Sequence, residues 1–147
     1  MIIDDVDRKI LGEYQNNPQQ SFREIAQKVG VSQGTVLTRR KRMEEEGLIK
    51  GYTVIIDYEK LGYQLTAITE ITVSKGKVVE VGEKIAKMPT TCAVYNVTGL
   101  TDAMIIAKFR TREELGIFTK TLMEMPFVER TNTHLVLMTV KEDFRIF

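Results

Sequence analysis

Residues 21–47 read SFREIAQKVGVSQGTVLTRRKRMEEEG. The stretch predicts two short helices joined by a tight turn, the second of them basic on one side. Ser21 is a candidate N-cap, and Phe22, Ile25, Ala26 and Val29 fall at helical spacing on a face turned to a core. Ala26 is small, which suits a place where two helices cross closely. Gly30 ends the first helix, since a left-handed residue there needs no Cβ. Val31 then plugs the turn and Ser32 caps the second helix.

The second helix sorts into faces. Thr35, Thr38, Arg39 and Arg42 recur at i, i+3, i+4 and i+7 and so form one polar, basic stripe, while Val36, Leu37 and Met43 are expected to face the core. The run Arg39-Arg40-Lys41-Arg42 has no acid before it in the helix, and Glu44, Glu45 and Glu46 follow at once. A solvated helix usually mixes its signs. Three acids at a helix C-terminus also oppose the dipole there, at about 0.3–1 kcal/mol each when exposed. Segregated charge beside an Ala–Gly–Val–Ser turn points to a helix presented to the major groove of DNA.

Composition sets wider bounds. The chain has 147 residues, enough for one domain or two small ones. Its 21 basic and 20 acidic side chains leave a formal net charge of +1, so the whole molecule is not an indiscriminate binder of polyanions. The single Cys92 excludes an intrachain disulfide framework and a multi-cysteine metal site, and the single His134 excludes a histidine-based one. No cofactor is expected. No run is apolar enough to cross a membrane, and the N-terminus carries acids where a signal peptide carries bases, so a cytoplasmic protein is expected.

Working outward, Asp4 or Asp5 caps a first helix with the apolar stripe Val6, Ile10, Leu11 and Tyr14, broken at Asn16-Asn17-Pro18. Residues 1–50 thus give three helices around a small core. Residues 51–63 read as a connecting strand or wing followed by a linker turn, EKLGY. Over residues 64–147 the pattern changes: LTAITEITVS alternates as a strand, and VVEVGEKIAKM is amphipathic through Val78, Val81, Ile85 and Met88. TCAVYNVTG and DAMIIAKFR are strands meeting at a polar turn. TREELGIFTKTLMEM opens on Thr111 with Glu114 as in a capping box, and HLVLMTVKE closes the chain as a strand. The order βαββαβ predicts a ferredoxin-like αβ sandwich, and with the head an α+β protein. Helices cover one face of such a sheet. The other is expected to be apolar along Val136, Met138 and Val140 or their neighbours and to be covered by a second subunit.

Several segments in order resemble the Lrp/AsnC (feast/famine) family of transcription regulators: IDDVDRKIL, VGVSQGTVLTRRKRMEEEGLIKGY, VTGLTDAM and ERTNTHLVL. The resemblance implies an N-terminal winged helix-turn-helix and an αβ sandwich that dimerises through its sheet. It further implies assembly of dimers, commonly to octamers, and an amino acid bound between dimers that alters DNA binding. Two positions depart from the pattern. Arg40 stands where the family usually has an apolar residue, and it either snorkels out along its stem, pairs with Asp4 or Asp7, or touches a phosphate. Thr101 stands where a bulky residue often precedes the loop aspartate.

The DNA interface is expected at Ser32, Gln33, Gly34, Thr35, Thr38, Arg39, Lys41, Arg42 and Lys50. Ser32 and the first helical amides suit a phosphate, and Gly34 admits close approach. Gln33, Thr35 and Thr38 suit base edges, Arg39 and Arg42 either guanine or phosphates, and Lys41 and Lys50 phosphates. A dimer would set two such helices about 34–36 Å apart, on a roughly palindromic duplex site. The effector site is expected at the turn Thr98, Gly99, Leu100, Thr101 and Asp102, with Thr133 lining the same cleft by the resemblance. Asp102 would receive an ammonium and turn amides near Gly99 a carboxylate, although Gly and Asp also suit a plain β-turn. Cys92 reads as core, His134 as a surface or interface residue, and Met104, Met123, Met125 and Met138 as core or subunit-contact filler. No nucleophile–base pair, phosphate loop or metal set suggests an enzyme. The rival readings are an architectural DNA-wrapping protein without effector and an amino-acid sensor that does not act on DNA.

Overall fold

The structure, a computed structural model, describes residues 2–146 and divides into two compact units. One comprises Met1–Ile55 with Glu142–Phe147, the other Ile56–Lys141. The end of the chain, expected with the sandwich, therefore clusters with the head. Arg145 Nη1 donates to the Gln15 carbonyl at 3.3 Å.

The first unit holds α1 (Asp5–Asn16), α2 (Phe22–Val29) and α3 (Gln33–Glu45). Each begins where a short polar side chain takes an orphan backbone N–H. Asp4 and Asp7 form a capping box on α1, Ser21 and Glu24 form one on α2, and Ser32 Oγ accepts from Thr35 N–H on α3. Gly30 ends α2 in the left-handed region, φ +79°, and the amides of Gly30 and Val31 both donate to the Ala26 carbonyl. Ile10, Tyr14, Ile25, Ala26, Val36 and Met43 form the buried core. Residues 51–57, expected as a strand or wing, form no strand, because no segment among the described residues pairs with them.

The second unit is a four-stranded antiparallel sheet, β1 (Leu65–Val73), β2 (Thr91–Asn96), β3 (Ala103–Phe109) and β4 (Val128–Leu135), in the order β2-β3-β1-β4. α4 (Val78–Ala86) and α5 (Arg112–Glu124) lie against one face. Alternation along β1 and β3 turns Ala67, Ile71, Ala103, Ile105, Ala107 and Phe109 toward Val81 and Ile85 of α4 and Phe118 and Leu122 of α5. This is the ferredoxin-like sandwich that the element order predicts.

Three expectations in this unit are corrected. β4 runs over Val128–Leu135, not over residues 134–142. Its length is set by β1: Leu135 pairs with Ala67, Val136 N–H still reaches the Thr66 carbonyl at 2.8 Å, and β1 itself starts at Leu65. The uncovered face of the sheet is consequently not built from Val136, Met138 and Val140. It is a mixed surface of Ile68, Met104, Ile106 and Tyr95 with a polar cluster in which His134 Nε2 and Asn132 Nδ2 each stand 2.9 Å from Glu70 Oε2. Cys92 is exposed, because the β2–β3 register slips between Thr91 and Ala93.

Candidate nucleic-acid interface and effector loop

α3 docks through Val36 and Met43, both fully buried, and its other residues follow from that rotation. Gln33, Gly34, Leu37, Thr38 and Lys41 are exposed and follow one another at helical spacing. Leu37, expected in the core, is 45% exposed. The predicted Thr35–Thr38–Arg39–Arg42 stripe is split: Thr38 is exposed and Thr35 half-buried, while Arg39 and Arg42 are drawn toward α1.

Acids hold them there. Arg39 Nη1 lies 2.6 Å from Asp4 Oδ2 and 3.0 Å from Asp7 Oδ1, and Arg42 Nη2 lies 2.6 Å from Asp7 Oδ2. Asp7 is wholly buried, and its Oδ2 also accepts the Asp4 N–H at 3.1 Å. Hydrogen bonding from Arg39, then from the Asp7 N–H, holds the Asp4 carboxyl down at about 2. The same two acids keep the Arg39 guanidinium more firmly protonated than a free one. Arg39 and Arg42, expected to be presented outward for DNA, are thus ion-paired to the acids of α1, with 27% and 41% of their side chains still exposed.

The opposite flank carries Arg40. Its guanidinium sits 4.7 Å from the centre of the Phe22 ring, and Nε lies 3.4 Å from Glu44 Oε1. The sequence offers snorkelling along the stem, a pair with Asp4 or Asp7, or a phosphate. The stack on Phe22 and the pair with Glu44 were not anticipated from it, and Asp4 and Asp7 go to Arg39 and Arg42. Glu44 also accepts from the Tyr52 hydroxyl at 2.7 Å. Burial first, and this bond second, push the Tyr52 phenol up to about 12. Glu45 pairs with Lys41 at 3.6 Å, so two of the three terminal acids answer cations one turn earlier.

Ser32 is the α3 cap, with Oγ 2.9 Å from Thr35 Oγ1 and 3.0 Å from Thr35 N. Lys50 is exposed beyond the end of α3. It borders a cleft of about 620 Å³ within the first unit, shared with Tyr14, Gln15, Tyr52, Val54 and Arg145. The outward position of Leu37 and the carboxylate partners of Arg39 and Arg42 were missed from sequence. The available signal was the pair of acids in the α1 capping box, three residues apart on one helix end.

The predicted effector residues Thr98, Gly99, Leu100, Thr101 and Asp102 form the β2–β3 turn, closed by Val97 N–H donating to the Asp102 carbonyl at 3.0 Å. Gly99 has φ +113°, a conformation that L side chains rarely adopt, and Leu100 is fully exposed. The turn is fastened to the end of β1. Thr101 Oγ1 and Asp102 N–H both donate to the Ile71 carbonyl, at 2.8 and 2.9 Å, and Val73 N–H donates to Asp102 Oδ2 at 2.7 Å. Thr133 is on β4, opposite Thr69, and shares a hydroxyl–hydroxyl hydrogen bond with it at 3.1 Å. One strand, β1, separates it from the β3 end of the turn. Among the described residues no group of three or more His, Cys, Asp and Glu is placed to hold a metal ion, and no helix is long and apolar enough to cross a membrane.

Comparison with known proteins accounts for both units. Residues 3–50 match a family described as winged helix-turn-helix DNA-binding, and residues 66–146 match the Lrp/AsnC ligand binding domain. An uncharacterised HTH-type transcriptional regulator of Pyrococcus furiosus is 47% identical over 146 residues, covering 99% of each chain. Solved structures with the same fold include AsnC of E. coli, with TM-score 0.90, 22% identity and 99% of each chain covered. A transcriptional regulator of Neisseria meningitidis in complex with L-Met is also similar, with TM-score 0.89, 24% identity and coverage of 99% of this chain and 96% of that one. A capped three-helix head with an open α3 face, joined in sequence to a βαββαβ sandwich, is thus a DNA-binding unit followed by a ligand-binding unit, and the chain belongs to the Lrp/AsnC family of transcription regulators, not to the enzymes.

Proposed function

We propose that the chain binds roughly palindromic duplex sites as a homodimer, that dimers assemble further into an octamer, and that a free amino acid modulates its hold on DNA in the cytoplasm. The exposed row Gln33, Gly34, Thr38 and Lys41 on a helix anchored from behind carries this reading. Gln33 and Thr38 supply hydrogen bonds to base edges, and Gly34 lets the backbone approach. Lys41, Lys50 and the first amides of α3 beside Ser32 and Thr35 hold phosphates. Arg39 and Arg42 set the pose of the helix through Asp4 and Asp7 rather than reading bases in the free protein.

The effector reading draws support from the ligand-binding family of the second unit and from the β2–β3 turn. An amino acid would bring its ammonium to Asp102 and its carboxylate to amides near Gly99, with Thr98, Leu100, Thr101 and Thr133 around it. The L-Met complex of the Neisseria protein shows that a chain of this fold holds an amino acid, and it suggests the class of ligand to try here.

Selection of bound duplexes from random DNA, with and without a panel of amino acids, tests operator, symmetry and effector together. Two inverted half-sites, with enrichment shifted by one amino acid, are expected. Binding without sequence preference at any salt concentration would favour an architectural wrapping protein.

A further inference from the structure

We propose that Leu37 adds a sequence-specific contact on α3 beside those of Gln33 and Thr38, by seating against the 5-methyl group of a thymine in the major groove. The inference rests on the DNA-binding reading above. Leu37 is not one of the buried core residues: Val36 and Met43, both fully buried, supply the core of this helix, and Leu37 keeps 45% of its surface open. It sits in the middle of the exposed row. Gly34 lies one turn before it, and Thr38 and Lys41 lie beside and one turn after. Gly34 leaves the approach clear, since a Cβ there would meet only Ser32 Oγ, at 3.8 Å. Apart from the small γ-methyl of Thr38, the rest of that row offers backbone, amide, hydroxyl and ammonium groups.

The side chains best suited to read guanine are otherwise occupied, with Arg39 on Asp4 and Asp7 and Arg42 on Asp7. An isobutyl group at the centre of a recognition row has one apolar counterpart on the floor of the major groove, because thymine alone among the four bases presents a methyl group there. The half-site should therefore carry thymine opposite the middle of α3.

Uracil replaces thymine without changing base pairing and deletes only that methyl. Each thymine of a selected operator is replaced in turn by uracil, and the full-length protein and Leu37→Ala are titrated against every duplex. The wild-type protein is expected to lose about fourfold in affinity at one thymine per half-site, the value of one buried methyl group. Leu37→Ala is expected to bind the thymine duplex more weakly and to ignore the exchange at that position. Alanine favours helix and Leu37 is outside the core, so the variant should fold, which circular dichroism checks. The proposal is overturned if the wild-type protein is indifferent to uracil at every position, or if Leu37→Ala keeps the same discrimination. It is overturned too if Leu37→Ala alters only the oligomeric state seen by light scattering. A wild-type protein that retains no duplex at all would sink the DNA-binding reading together with this one, whereas binding without methyl dependence sinks this one alone.

Discussion

Asp7 has no exposed surface, yet three donors converge on its carboxylate: Arg39 Nη1 at 3.0 Å, Arg42 Nη2 at 2.6 Å and the Asp4 N–H at 3.1 Å. A buried carboxylate is tolerable only when so supplied. Asp7→Asn keeps the shape and removes the charge. It should cost about 2 kcal/mol of stability, the scale of hydrogen bonds to charged groups, read from urea unfolding. It should also release the Arg42 guanidinium toward phosphates, Arg39 staying on Asp4, and so raise affinity for random duplex and steepen the log K against log salt slope by about 1. An unchanged slope would mean that Arg42 already leaves Asp7 when DNA is bound. Asp4 adds a pH dependence. Its carboxyl sits at about 2 in the folded chain against an ordinary 3.8, so its contribution is fully present above pH 3.8 and is lost as pH falls toward 2. Thermal midpoints measured between pH 5 and pH 2 should therefore fall less steeply in Asp4→Asn than in the wild-type protein. At this scale the caps were legible in the sequence, because a cap is a contact over three residues: Ser21 and Ser32 could be read directly as caps, though not the return bond from Glu24. The pairing of Arg39 and Arg42 with α1 was not, because it spans 32 to 35 residues and depends on how α3 is rolled on its neighbours.

Periodicity gave the type and order of the elements and left register and ends open. β4 shows why. Its apolar run, Leu135 to Met138, reads as strand centre, yet the paired segment is the polar VERTNTHL, because a strand reaches only as far as its partner. The exposed Cys92 has the same origin, a slip at Thr91–Ala93 that alternation alone cannot reveal. The β2–β3 turn was located correctly by its Gly and Asp, but the work its side chains do across the sheet was hidden. Asp102 Oδ2 accepts the Val73 N–H, at the point where the β1–β4 register shifts between Thr72 and Val73. Asp102→Ala should therefore have two effects. Removing the acceptor of Val73 should cost about 1–2 kcal/mol in urea unfolding. On the proposed function, the amino acid selected with the operator should no longer change DNA affinity in a gel-shift titration, while basal affinity stays as in the wild-type protein. A loss of stability with the amino-acid response intact would leave the turn as a structural fastening alone.

The whole molecule leaves apolar surface that a lone chain does not cover. Leu137 is 97% exposed, and Met138 and Val140 lie open beside it, past the last rung of β4. On the uncovered side of the sheet Ile68 and Ile106 face each other across β1 and β3, with Met104 next to them. On the proposed reading of a two-fold site, surface of this kind is where a second copy is expected to sit. Ile106→Asp tests it without disturbing the core, since Ile106 alternates with the buried Ile105 and Ala107 and points away from α4 and α5. Its backbone pairing with Ile68 is retained by any residue, so circular dichroism and the thermal melt should stay cooperative. Light scattering should show the wild-type protein as a dimer or larger and the variant as a monomer. DNA binding then follows from linkage: two heads joined through their sheets meet the second half-site at a high effective concentration, worth about 10²- to 10⁴-fold in avidity. Ile106→Asp should lose that factor on a full palindrome and lose little on a single half-site, because each head still carries its own α3. A variant that remains dimeric by scattering would show that this sheet face is not the contact, and the open run from Leu137 to Val140 would become the place to substitute next.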